Sequence, residues 1–373
     1  MSSASVPSII NIAVIGGGSI GPRHAQSVSK NPHANLIALV DPAPHGHQKA
    51  LSLGTAYYPS IASLLASAHR PHAAIICTPN STHVPLSLEL ISAGVHVLVE
   101  KPISVSIPSG LELIQTAVEK NVKLLVGHHR RFNPYLLAAK AEIDRGRLGS
   151  IIAVQGSWCL KKPDEYYDGI GEWRKSRENG GVVLINLIHE VDLLQYLLGP
   201  IVQVFALESK KTRNFDAEEG AAIILKFESG VIGTFVLCDA VPSPWNFEAG
   251  TGENPTIPQV EKDEGAGGFY RILGTEGSLS VPDLTLWSYN GRAVPGWTEK
   301  LNKEGLIVNR EKIPFDLQVQ HLIDVVKDDA SPSCSGEEAL RAMVVCEAVK
   351  RSMATNQPIA IDGFVILERN RNV

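Results

Sequence analysis

Short apolar runs alternate with longer amphipathic stretches over the first third of the chain. "NIAVIGGGSIG" opens with the run Ile12 to Ile15 and then turns on glycines, which predicts a buried strand leading into a helix. "ANLIALVDP" predicts a second buried strand, Leu36 to Val40. "HAAIICTP", "VHVLVEKP" and "VKLLVGHH" predict three more. Between them, "THVPLSLELISAG" and "SGLELIQTAVEKN" read as helices. Strands alternating with helices imply a parallel sheet covered on both faces.

The rhythm changes after "GHHRRFNP". A helix is expected from Tyr135 to Arg145. Runs rich in β-branched residues follow: "IIAVQGSWCL", "IVQVFALESKKT", "GAAIILKFESGVIGTFVLC", "GFYRILGTEGSLSV" and "LTLWSY". "KFESGVIGTF" reads as a hairpin turning at Ser229 and Gly230. These runs predict a large, open, mostly antiparallel sheet. The apolar helix "GGVVLINLIHEVDLLQYLLG" interrupts it. Pro242 to Gly268 reads as a long loop, and such loops are often functional. "GEEALRAMVVCEAVKRSMAT" is a clean helix, and residues 365–373 are expected to fray. The expectation is an α/β chain in two domains. Residues 1–128 form the domain of the covered parallel sheet. Residues 129–373 form a second α/β domain, with the last helix able to pack back on the first.

Composition narrows the partners. The 373 residues carry a formal net charge of -5, which argues against nucleic acid because no broad basic field would attract phosphate. The five cysteines are widely spaced with no CxxC pair, so neither a zinc ribbon nor a disulfide framework is indicated. "MSSASVPSII" lacks the basic start of a signal peptide, and no run approaches the roughly 18 apolar residues of a membrane span. A reducing, cytoplasmic setting is expected.

The glycines carry the first chemistry. Gly16, Gly18 and Gly21 form GxGxxG between a strand and a helix, with Ser19 and Ile20 completing the loop. The first glycine permits a tight turn, the second lets backbone approach a pyrophosphate, and the third lets helix and strand pack closely. The helix N-terminus offers unpaired N–H groups to phosphate. Asp41 ends the next strand, twenty residues beyond Gly21, and can accept from ribose hydroxyls. Its carboxylate repels a 2′-phosphate and no arginine follows. NAD is therefore expected, with NADP as the alternative.

Further motifs fall in a specific order: "CTPNSTH", "VEKP", "GHHRRFNP", "GG…IHEVD" and "GTEGSL". Together they resemble the glucose-fructose oxidoreductase, inositol dehydrogenase and MocA (Gfo/Idh/MocA) family over nearly the whole chain. The resemblance implies that residues 1–128 are a dinucleotide-binding Rossmann domain and residues 129–373 a domain for substrate binding and oligomer contacts through its open sheet, with a nicotinamide cofactor at the domain junction and sugars, cyclitols or related polyols as substrates. It implies that Thr78, Pro79, Asn80 and His83 line the cofactor and that Glu100 contacts it. Lys101 then points at the substrate oxygen, and His189 is the acid–base histidine. Without that context, a histidine inside an apolar helix reads as a core residue. The chemistry suits both groups. Oxidising a carbinol removes a hydroxyl proton as well as a hydride, and histidine titrates near neutral pH. An ammonium beside the same oxygen stabilises developing negative charge.

The chain also departs from the family pattern. An aspartate four residues before the histidine is replaced by Ile185. Asn186, one helical turn from His189, is the expected orienting group. Asp192 lies a turn beyond His189 and either pairs with it or braces the helix, while Glu190 is expected to be structural. His128 and His129 are adjacent on a strand exit and so point to opposite faces. No metal site is expected, and His129 is favoured as the substrate-facing one. Arg131, Trp158, Lys162, Tyr166, Trp173 and Arg174 are further candidates to contact substrate. "LINLIHEVD" resembles a branch related to quinate-utilisation oxidoreductases, which points to a cyclic, carboxylated polyol.

The expected function is NAD(P)-dependent hydride transfer between the cofactor and a sugar, cyclitol or other polyol, or its keto form. The expected assembly is a homodimer or homotetramer. The same sequence features admit two alternatives. One is a non-catalytic nucleotide sensor, and the other is an enzyme that retains its cofactor to epimerise or cleave a glycoside.

Overall fold

The first apolar run forms strand β1 (Ile10–Ile15), buried along its length apart from Asn11. The structure, a computed structural model, describes residues 7–178, 180–260 and 268–361. Its contacts divide the chain into two units. The first holds the chain up to Asn133 together with Arg310–Arg341. The second holds Pro134–Asn309 and the chain from Ala342 onward.

In the first unit, β1 is followed by α1 (Gly21–Lys30), β2 (Ala34–Val40), α2 (Gly46–Ser52), β3 (Ala56–Tyr58), α3 (Ile61–Leu65) and β4 (Ala73–Ile76). Then come α4 (His83–Ser92), β5 (His96–Val99), α5 (Ile107–Glu119) and β6 (Leu124–Val126). The strands form a parallel sheet in the order β3-β2-β1-β4-β5-β6. The sequence pattern gave five of these strands. The sixth, β3, is a three-residue edge strand with no fully buried position to mark it. β1 lies between β2 and β4, so the strand order reverses at its C-terminal end. In such sheets that crevice is where ligands bind.

The second unit begins with α6 (Pro134–Asp144) and β7 (Ile151–Cys159), followed by 3₁₀ turns at Asp164–Tyr167 and Gly169–Lys175. The apolar stretch expected to be one helix is a π turn, Val183–Leu187, running into α7 (Ile188–Leu198). Next come β8 (Ile201–Glu208), β9 (Gly220–Phe227), β10 (Ile232–Cys238), α8 (Phe247–Thr251), β11 (Tyr270–Gly274), β12 (Gly277–Val281), β13 (Thr285–Ser288) and β14 (Asn302–Gly305). β9 and β10 form the expected hairpin, with Gly230 at φ +89° in its turn. All neighbouring strands in this sheet are antiparallel except β7 and β10.

Along β9 and β10, Ile223, Leu225, Phe235 and Leu237 point inward while Ile224, Ile232 and Val236 point out. A Cβ at Gly156 of β7 would meet the Phe235 ring at 2.5 Å, so only glycine fits there. The long loop holds α8, capped by buried Asn246, whose Oδ1 accepts from Ala249 N at 2.8 Å. Residues 261–267 of that loop lie outside the described residues, as do the terminal residues expected to fray.

The chain then returns to the first unit through α9 (Pro314–Val326). Val319, Leu322, Ile323 and Val326 share one core with Ile10, Ile12, Val14 and Val28. A division at residue 128 into two continuous segments therefore differs from the contact units. The apolar face of α9 fills the core beside β1 and α1. The unit boundary falls inside α10 (Gly336–Thr355), after Arg341, and β15 (Ile359–Ala360) closes the second sheet against β8. Among the described residues, no helix is long and apolar enough to cross a membrane.

Candidate active site

The glycine loop is built by sterics. A Cβ at Gly21 would lie 2.0 Å from the Gly16 carbonyl oxygen, and one at Gly16 (φ +98°) would lie 2.8 Å from that of Cys77. A Cβ at Gly18 would meet nothing within 4 Å. Two glycines thus let strand, loop and helix close up, while the third borders open space. Gly18 and Ser19 are exposed and Ile20 is partly so, just ahead of the N-terminus of α1. This is the arrangement a pyrophosphate requires, and the residues fit a dinucleotide.

Asp41 is buried at the end of β2. Its Oδ2 accepts from Gly17 N at 2.6 Å and its Oδ1 from Ala43 N at 2.8 Å. The carboxylate therefore shapes the glycine loop as well as facing it. A carboxylate offers about four acceptor sites, so capacity for ribose hydroxyls remains. Lys49, which no sequence motif marks, donates to the Gly17 carbonyl.

The loops after β4 and β5 are tied together. His83 Nδ1 lies 2.7 Å from the Pro102 carbonyl oxygen and Nε2 lies 2.9 Å from that of Thr78. His83 is buried, so it joins the two loops rather than lining the cofactor as expected. Thr78 and Pro79 do reach the surface, and Asn80 is exposed on a 3₁₀ turn.

Glu100 also differs from expectation. It is buried, with Oε1 2.7 Å from His24 Nε2 and Oε2 accepting from Lys101 N at 3.3 Å. Burial pushes its carboxyl up, but the His24 hydrogen bond and the charges of His24, His129 and Lys101 outweigh burial and hold it below its usual value. An ionised carboxylate only accepts, so His24 Nε2 carries the proton. Glu100 thus braces the backbone that presents half-buried Lys101.

Phe315 of α9 organises the rest of this unit's polar edge. His129 stacks on its ring at 4.6 Å, His24 meets it edge-on at 4.9 Å, and the Arg23 guanidinium lies 4.6 Å from its centroid. His129 therefore has one ring face occupied. His128 is buried. Arg131, expected to touch substrate, is buried and donates to the Ser333 carbonyl and, at 3.3 Å, to Glu338, so it braces the loop before α10. Burial, with Glu100 adding to it at Cys77, raises the thiols of Cys77 and Cys159, the latter to about 11, which leaves neither poised as a thiolate nucleophile.

In the second unit, His189, Asn186 and Asp192 are all buried on the π turn and α7. Asn186 turns its Oδ1 to Lys162 Nζ at 2.5 Å. Glu190 accepts from Tyr270 OH and fastens α7 to β11, as its structural reading required. Glu218 accepts from Val183 N at 3.1 Å, and a Cβ at Gly181 would fall 2.1 Å from its Oε1. That contact explains the glycine at the entry to the π turn. Burial raises the Glu218 carboxyl against the pull of its backbone hydrogen bonds and of Lys350 and Arg177.

The aromatic segment divides. Trp158 is fully buried and donates to Glu248 at 2.8 Å, so its face is not open to a sugar as expected. Tyr166 is half-buried under the Arg174 guanidinium, 4.1 Å from its centroid, and Arg174 donates to the Tyr166 carbonyl at 2.8 Å. Trp173 is exposed, 5.1 Å from the same guanidinium. Tyr166, Arg174 and Trp173 are therefore the accessible members of this group, while Lys162 is buried behind them.

The class these features define is an oxidoreductase with an NAD-binding domain. Residues 10–128 match the oxidoreductase family's NAD-binding Rossmann fold and residues 140–361 its C-terminal alpha/beta domain. The chain belongs to the Gfo/Idh/MocA oxidoreductase family. Inositol 2-dehydrogenase of Rhizobium meliloti is 24% identical over 358 residues, covering 94% of this chain and 99% of that protein. Among solved structures, a putative NADPH-dependent oxidoreductase from Desulfitobacterium hafniense superposes with a TM-score of 0.80 at 21% identity, over 95% of this chain and 99% of that one. The WlbA dehydrogenase of Bordetella pertussis, solved with NADH and UDP-GlcNAcA, gives a TM-score of 0.74 at 25% identity, over 95% and 99%.

Proposed function

We propose that the chain is an NAD-dependent dehydrogenase or reductase of a sugar, cyclitol or other polyol, a carboxylated one included, and of its keto form. The carrying observation is the open face at Gly18, set between two sterically obligatory glycines and beside Asp41. The nicotinamide, when bound, supplies or accepts the hydride. Lys101 steadies the substrate oxygen with its ammonium, and His189 takes or returns the hydroxyl proton. Glu100 and His24 act through the Lys101 backbone. Tyr166, Arg174 and Trp173 offer a cation and ring faces to a hydroxyl-rich or acidic substrate. Asp41 disfavours a 2′-phosphate, which supports NAD over NADP. The name of the Rhizobium relative supports an inositol-like substrate. The exposed Ile152, Ile224, Ile232 and Val236 on one sheet support a homo-oligomer that covers them.

The test is a panel of inositols, sugars, quinate-like acids and their keto forms, each with NAD and with NADP, read by absorbance of the reduced nicotinamide. Turnover of one polyol with NAD at least about tenfold better than with NADP is expected, a preference of about 1.4 kcal/mol. Tight nucleotide binding with no turnover in either direction would instead favour a nucleotide sensor.

A further inference from the structure

One buried cation of the second unit, Lys162, makes its hydrogen bond to an amide rather than to the carboxylate beside it. Asp239, buried at the end of β10, accepts from Tyr167 OH at 2.5 Å and from Arg213 Nη1 at 2.8 Å. Lys162 Nζ stands 3.7 Å from the same carboxylate, beyond hydrogen-bond range, and bonds to the Asn186 carboxamide at 2.5 Å instead. The ring of Tyr166 lies 4.7 Å from Nζ and that of Trp158 lies 5.5 Å away. Glu248, Arg174 and Arg213 are the other charges acting on it. A buried ammonium whose hydrogen bond goes to a neutral amide is an expensive arrangement.

The bond has a directional consequence. An ammonium only donates, so the Asn186 oxygen must face Lys162 and its amino group must face away. Asn186 lies in the turn that leads into the helix of His189. We propose that Lys162 is a positioning residue for the reaction: by holding the Asn186 oxygen it makes the turn before His189 present the amide N–H donor rather than the amide oxygen. This rests on reading His189 as the acid–base group. Burial foremost, with Arg174 and Arg213 adding to it and Asp239 and Glu248 opposing, brings Lys162 down to about 8. Above that pH the neutral amine can also accept, and the carboxamide is free to turn over. Activity then falls on the alkaline side through Lys162.

The experiment compares kcat and KM against pH for the wild type, Lys162→Met, Lys162→Arg and Asn186→Asp, using the best substrate of the panel. The wild type is expected to show an alkaline limb at about 8. Lys162→Met should lower kcat by up to about 100-fold with KM nearly unchanged, and should lose the limb. Lys162→Arg should restore part of the rate without restoring the limb, because arginine does not titrate there. Asn186→Asp should remove the limb from the rate, since a carboxylate has no amide to turn over, while the lysine itself titrates higher beside the carboxylate. A rise in KM with kcat intact would make Lys162 a substrate contact and overturn the proposal, and so would a limb that persists in Lys162→Met.

A second measurement needs no substrate. With lysines carrying ¹³C-methyl labels, one resonance should titrate near 8 in the wild type and be missing from Lys162→Met. If every lysine titrates at its ordinary value, the proposal fails whatever the panel finds. If that resonance is present and no polyol turns over, the functional reading fails while the Lys162–Asn186 pairing stands.

Discussion

In the first unit the buried acids Asp41 and Glu100 are held by backbone N–H groups and one imidazole: two backbone N–H groups for Asp41, His24 and a backbone N–H for Glu100. In the second, Asp239 is held by an arginine and a tyrosine, and a lysine beside it bonds to an amide. The first arrangement keeps its acceptors fixed, Asp41 among them at the glycine loop, which suits a ligand rich in hydroxyls. The second leaves a buried cation whose charge depends on pH. On the proposed function, the first unit's backbone geometry would hold the cofactor, and the second unit's side chains would manage the proton together with Lys101.

The sharpest way to break that division is Lys101→Ala beside His189→Ala. Each is expected to lower kcat by about 10²- to 10⁴-fold while NAD affinity, measured by titration calorimetry, stays within about threefold. A large loss of NAD affinity in His189→Ala would mean that the second unit also holds the cofactor. A wild-type rate in both would remove these residues from the chemistry.

Next in size are the glycines. Gly21→Ala pushes a methyl to 2.0 Å from the Gly16 oxygen, whereas Gly18→Ala points one into open space. Overpacking of this kind costs about 1–3 kcal/mol or more, so Gly21→Ala should lower Tm clearly. Gly18→Ala should leave Tm close to wild type and weaken NAD binding by about tenfold, because the methyl occupies the approach of the phosphates. Equal Tm losses in the two variants would show that the loop is not divided into packing and binding glycines.

The same division explains what could be read from the sequence. The glycine loop was legible because its constraints act within one short stretch of backbone. Lys101 and His189 were legible only through the company of other motifs. The His24–Glu100 pair was missed because its partners are 76 positions apart, although His24 stands one turn after Gly21 on an otherwise short polar helix. "PFDLQVQHLIDVV" has helical spacing, yet nothing local says which core it joins, and so α9 and Phe315 went unassigned. Trp158 and Arg131 suit a substrate contact by their chemistry alone. Burial decided against both, and burial at a sheet or loop depends on residues such as Glu248 and Ser333 that lie far along the chain.

The pH dependence of stability places the two units at opposite ends of the pH scale. Glu100 sits below its usual value in the folded chain. Its contribution is therefore present above the ordinary carboxyl range and is lost as pH falls through it. Lys162 is brought from 10.5 to about 8, so between those values the unfolded chain binds more protons than the folded one and stability rises with pH. The full rise amounts to about 3 kcal/mol. Urea denaturation from acid to alkaline pH should show Glu100→Gln losing only the acid slope and Lys162→Met losing only the alkaline one. A variant that flattens both slopes would mean that the two polar centres titrate as one system, and the contrast drawn between the units would not hold.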